Sequence, residues 1–199
     1  MKSAIFSLLS ALTFCAGTNA CAGIFCSFEP DRQAPAWYGE AQTAVLFGVN
    51  NRFGYVLAPQ MVSVMYDPAF ESWAEGFAFG ITAMAQPVVN GPETFLGGGA
   101  FAIRYDFTRF SASPKIRPYI TTRLGCGGID ASGVRDGQAQ DFVFILQAEA
   151  GVGFEIGGGW EAKVGVLYQH VSNAGLSEPE LLNTGLDSVG PFIALRWNW

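Results

Sequence analysis

Three stretches decide the fold: residues 141–156, DFVFILQAEAGVGFEI; residues 160–172, WEAKVGVLYQHVS; and residues 187–199, DSVGPFIALRWNW. In the first, Phe142, Phe144, Leu146, Ala148, Ala150, Val152 and Phe154 alternate with Val143, Ile145, Gln147, Glu149, Gly151, Gly153 and Glu155. In the second, Trp160, Ala162, Val164, Val166 and Tyr168 share one face, with Glu161, Lys163, Gly165, Leu167 and Gln169 on the other. The third sets Val189, Pro191, Ile193, Leu195, Trp197 and Trp199 against Ser188, Gly190, Phe192, Ala194, Arg196 and Asn198. Successive side chains of a β-strand point to opposite faces, so a period of two predicts strands with one apolar and one polar or glycine-rich face. A soluble sandwich alternates too, but its strands usually run to only about five or six residues. These stretches hold 13 to 16 residues, and about ten suffice to cross a bilayer at a tilt. The pattern is that of a lipid-out, polar-in barrel wall.

The rest of the chain repeats this rhythm. Further strands are predicted at 41–50, 54–66, 74–86, 94–107 and 116–127, giving eight in all. The breaks fall at Asn50–Asn51, Asp67–Pro68, Asn90–Gly91–Pro92, Ser113–Pro114, Asp136–Gly137 and Gly157–Gly158–Gly159, which are turn-forming sequences. The fold class predicted is all-β, an eight-stranded antiparallel transmembrane β-barrel. Composition agrees. Half of the 199 residues are hydrophobic and only 14% are charged, against about a quarter charged in soluble domains. Seventeen Phe, six Tyr and five Trp suit strands and interfacial girdles. A net charge of −6 argues against a nucleic-acid partner.

Residues 1–22 read as a secretory signal peptide, and 23–199 as one barrel domain. Lys2 supplies the positive end, Ala4 to Phe14 the apolar stretch, and Ala16 to Ala22 the small-residue run, with cleavage after Ala20 or Ala22. An acylated Cys21 is the alternative, disfavoured by Thr18 and Asn19 upstream. No run of 18 apolar residues follows, so no spanning helix is expected. An exported apolar chain without one crosses a membrane only as a closed barrel, where every backbone polar group is paired. The aromatic terminus, with apolar residues two, four and six positions before it, resembles the assembly signal of outer-membrane barrels, making the barrel assembly machinery an expected partner. Of four cysteines, Cys15 leaves with the signal; Cys21, Cys26 and Cys126 leave the disulfide pairing open. No metal-ligand spacing is present, and no metal or other cofactor is expected.

His170 is the chain's single histidine. Ser172, two residues on, projects from the same strand face, so an imidazole stands beside a hydroxyl whose proton it can take. Both continue the lipid-facing row that ends at Tyr168, where polar groups are costly without a task. Asp187 begins the last strand on its lipid face, across a single loop from the pair. It can orient the imidazole and stabilise its charged form.

The stretch from His170 through Val171, Ser172, Asn173, Ala174 and Gly175, then Pro179, then Asn183 to Ser188, resembles the signature of the PagL-type lipid A deacylases. The resemblance implies an eight-stranded outer-membrane barrel that hydrolyses the ester at the 3 position of lipid A. It implies His170 as base, Ser172 as nucleophile and Asn173 as an oxyanion-hole contributor. Two departures are visible. The loop from Gly175 to Asn183 is longer, and Asp187 stands where the family often has glutamate, so Glu178 or Glu180 is an alternative third member. Gly175 and Gly185 read as turn formers. The expected substrate is lipid A or lipopolysaccharide in the outer membrane, and a homodimer is left open. The rival readings are a non-catalytic structural or adhesion barrel, and a barrel phospholipase or acyltransferase. Inward-pointing His170 and Ser172 would favour the first of these.

Overall fold

The computed structural model describes residues 35–49, 52–70, 74–107, 113, 115–134, 138–176 and 185–199. The predicted signal peptide, Cys15, Cys21, Cys26, the Asn50–Asn51 and Asp136–Gly137 turns, and Glu178 and Glu180 lie outside the described residues.

Ten strand segments form one sheet: β1 (Ala36–Ala44), β2 (Leu46–Val49), β3 (Val56–Leu57), β4 (Gln60–Asp67), β5 (Phe77–Asn90), β6 (Phe95–Asp106), β7 (Ile116–Ile129), β8 (Phe142–Gly157), β9 (Trp160–Ser172) and β10 (Leu186–Asn198). β1 with β2, and β3 with β4, are each one barrel stave interrupted in the middle, so the ten segments make eight antiparallel staves. Pairing of β1 with β10, from Tyr38 opposite Asn198 to Ala44 opposite Phe192, closes the barrel and removes every sheet edge.

Three departures from the predicted strands have local causes. The first stave starts at Ala36 and breaks at Val45, whose N–H turns to the Pro191 carbonyl at 3.2 Å. Gly190 makes room for that break, since a Cβ there would overlap the Val45 carbonyl oxygen. The second stave breaks at Ala58–Pro59, where proline has no N–H to donate; the Pro59 carbonyl accepts from Ala44 N at 3.1 Å instead. The third stave runs through Pro87 to Asn90 because Pro87 sits beside the irregular β3–β5 pairing, its carbonyl taking the Ala58 N–H at 3.0 Å. The register runs through the Val45 break unshifted, from Ala44 opposite Phe192 to Phe47 opposite Val189, so β2 continues alongside the start of β10 with Val49 opposite Asp187.

The predicted faces are observed. Val62, Ile81, Phe101, Leu124, Val166 and Ile193 point outward and each is at least half exposed, a belt that only a lipid environment suits. Trp37 packs on Tyr66 at 4.9 Å and Trp160 on Trp197 at 5.9 Å, forming an aromatic girdle at the end where β1 begins and β10 finishes. The longest connections, 130–141 and 173–185, lie at the opposite end, as extracellular loops do.

The lumen is filled, and only half of it is charged. Toward the termini, the Glu40 carboxylate meets Arg104 at 3.2 Å, Arg123 at 3.6 Å and Lys163. Arg104 also pairs with Asp106 at 2.7 Å and lies 3.6 Å over the Tyr119 ring. Toward the long loops, Leu46, Leu57, Met84, Leu96, Val143, Ile145, Leu167, Val171 and Leu186 form an apolar plug. Removing one member of a buried charge cluster costs about 3–5 kcal/mol, because the partners stay buried and uncompensated. Glu40→Ala is therefore expected to lower the temperature at which the folded band is lost in a heat-modifiability gel. An unchanged transition would show that the luminal cations do not depend on Glu40.

Candidate active site

The site is built on the β9–β10 hairpin, just above the apolar plug. β9 alternates Leu167, Gln169 and Val171 inward with Tyr168, His170 and Ser172 outward. In β10, Leu186 and Ser188 are buried and Asp187 faces out. The register places Asp187 directly opposite His170 and Leu186 opposite Val171. Directly opposite residues hold their Cβ atoms about 4.5–5.5 Å apart, so a short aspartate suffices here. His170 Nδ1 lies 2.8 Å from Asp187 Oδ1. The same oxygen accepts a 2.6 Å hydrogen bond from the Tyr168 hydroxyl. The side chains of His170 and Asp187 are 36% and 48% exposed, so the pair is displayed on the outer wall and not in the lumen.

Binding Nδ1 to a carboxylate fixes the proton there and leaves the Nε2 lone pair as the basic position. Ser172 stands on the same outward face, one step nearer the long loop. Its neighbour on β8 is Phe144 and that of His170 is Leu146. Phe144 meets Phe142 edge to face at 5.1 Å. The polar group of three is thus set in an apolar rim, at the end of the barrel away from the termini.

Asn173 is placed differently from the other predicted residues. It is fully buried, with Nδ2 donating to the Gln138 carbonyl and Oδ1 accepting from Gly175 N, both at 2.9 Å. The second bond is an Asx turn, continued by Leu176 N donating to the Asn173 carbonyl at 3.1 Å. The structure brings His170, Ser172 and Asp187 to one face, and it directs the Asn173 side chain into the barrel mouth. Gly175 and Gly185 are turn residues, with φ of 77° and 62°. The residue that sequence reading passed over is Tyr168, assigned there only to the lipid face. Its position two before His170 on the same face was the available signal.

Gly185 has a second role. A Cβ there would stand 3.3 Å from His170 Cε1, and a non-glycine residue in this conformation costs about 1–2 kcal/mol. Gly185→Ala is expected to tilt the imidazole and lower kcat about tenfold, with the folded band intact. Full activity in a folded Gly185→Ala barrel would show that the ring tolerates the contact.

A closed eight-stave barrel with an outward apolar belt defines the class as an outer-membrane β-barrel, and its rim carries an outward histidine–carboxylate pair beside a serine. The family model for lipid A 3-O-deacylase (PagL) matches residues 55–196, and the chain belongs to that family. Solved structures that share the fold include two outer-membrane barrels. The crystal structure of the outer membrane enzyme PagL is 22% identical, with a TM-score of 0.61, covering 78% of this chain and 97% of that one. The crystal structure of Neisserial surface protein A (NspA) is 15% identical, with a TM-score of 0.59, covering 84% of this chain and 100% of that one. No curated sequence matches. The protein is a hydrolase of the lipid A deacylase family, located in the outer membrane.

Proposed function

We propose that this barrel removes an ester-linked 3-hydroxyacyl chain from lipid A by serine catalysis, with Ser172 as nucleophile, His170 as general base and acid, and Asp187 as the orienting carboxylate. The observation that carries the reading is the 2.8 Å contact between His170 Nδ1 and Asp187 Oδ1 on the outward face, shared by Ser172. Ser172 Oγ attacks the ester carbonyl while Nε2 takes its proton. The tetrahedral intermediate collapses, and the sugar oxygen leaves with that proton. Water, deprotonated by the same Nε2, then releases the hydroxy acid from Ser172.

Asn173, adjacent to Ser172, is the oxyanion contributor implied by the family resemblance. Its bonds to Gln138 and Gly175 support a role in holding the turn beside the nucleophile. Direct donation by its amide requires that turn to rearrange when substrate binds.

Position supports the substrate. With both termini periplasmic, the β9–β10 end faces outward, where the outer leaflet presents the acyl esters of lipopolysaccharide. A purely structural barrel leaves a half-exposed polar pair in an apolar rim without a task. The test is mass spectrometry of lipid A from cells with and without the intact chain. The expected result is loss of one ester-linked 3-hydroxyacyl group. Unchanged lipid A alongside shortened glycerophospholipids would overturn it in favour of a phospholipase.

A further inference from the structure

We infer that Tyr168 is a positioning residue for this reaction, acting through Asp187; the inference rests on the serine-esterase reading above. Asp187 offers a carboxylate that is nearly half exposed and whose terminal torsion is soft. Left to solvent, it would rotate and share its charge with water. Two donors converge on one oxygen instead, Tyr168 OH at 2.6 Å and His170 Nδ1 at 2.8 Å. The barrel wall fixes both. Tyr168 and His170 are alternate residues of β9 and so share its outward face. Tyr168 lies opposite Val189, and His170 opposite Asp187. Tyr168 therefore reaches Asp187 on the diagonal, which a long aromatic side chain can span. The phenol pins the carboxylate from the membrane side, leaving it no freedom to turn away from the imidazole. Its ring sits at the lipid boundary, where an aromatic residue with a polar tip is at home. The hydroxyl thus spends its bond on the catalytic carboxylate.

The test uses Tyr168→Phe, which keeps the ring and removes only the hydroxyl. A hydrogen bond to a charged group is worth enough to predict about a tenfold fall in kcat, with KM changed less than twofold. In the Asp187→Asn background the same substitution is expected to be silent, since a residue acting through Asp187 has nothing left to position. A readout independent of turnover exists because His170 is the only histidine. Nitrogen NMR of the full chain labelled with ¹⁵N-histidine and folded in micelles follows a single imidazole. The intact barrel is expected to hold the proton on Nδ1, and Tyr168→Phe to show a mixture of tautomers. Full kcat with an unchanged imidazole spectrum in Tyr168→Phe, where Asp187→Asn is crippled, would overturn the inference and leave the esterase reading standing. Equal losses from Tyr168→Phe in the native and Asp187→Asn backgrounds would also overturn it, by showing that Tyr168 acts elsewhere. Persistent activity in Ser172→Ala would remove the esterase reading itself.

Discussion

Ser172→Ala is expected to abolish ester hydrolysis and to leave a heat-modifiable, membrane-inserted barrel. The expected fall in kcat is about 10⁶-fold, the size seen when the nucleophile of a serine protease is removed. The barrel survives because Ser172 sits outside the lumen, on the outward face of β9, so its hydroxyl belongs to neither the charge cluster nor the apolar plug. His170→Ala is expected to give a loss of similar size, and the double variant to be no worse than either single one, as for a nucleophile and base that act as a unit. Kinetics on refolded protein with purified lipid A check all three. Retention of more than a few per cent of activity in Ser172→Ala would rule out the nucleophile.

The second large effect concerns the carboxylate. Asp187→Asn is expected to lower kcat about 10⁴-fold with little change in KM, because a neutral amide cannot stabilise the imidazolium and favours the wrong tautomer. Asp187→Glu keeps charge and face and is expected to retain a large share of turnover. Glu178→Gln and Glu180→Gln are expected to be nearly silent, because the geometry already supplies His170 with a carboxylate at 2.8 Å. A tolerant Asp187 with a sensitive Glu178 or Glu180 would move the third role into the loop.

The legible parts of the fold were those that one strand carries within itself. The alternation of β8, β9 and β10 predicted which side chains face lipid, and Val166, Ile193 and Phe144 do. Features shared between distant strands were not legible. The apolar plug gathers Leu46, Leu96, Ile145 and Leu186 from four staves, and no single stretch announces it. Two prolines mark strand bounds that differ from those predicted. Pro59 breaks a stave predicted to be continuous, and Pro87 sits inside one predicted to end. In each case the partner strand, and not the local sequence, decides whether a missing N–H matters.

At the site, the shared outward face of His170 and Ser172 was legible from their two-residue spacing. That Asp187 is the residue opposite His170 required the register, which the loop does not encode; a slip of one residue would have turned Asp187 into the lumen. Asn173 teaches the converse. Its parity along the strand is opposite to that of Ser172, a signal the sequence analysis did not use, and the structure buries it. Family resemblance had pointed its amide at the substrate.

The most direct measurement is covalent trapping of the nucleophile. The folded barrel is treated with a fluorophosphonate, a reagent that phosphonylates activated serines, and the modified peptide is located by mass spectrometry. A single adduct on Ser172, matched by loss of lipid A hydrolysis and absent in His170→Ala, is the predicted result. Complete hydrolysis with Ser172 unmodified, or an adduct on another serine that tracks the loss of activity, would contradict it.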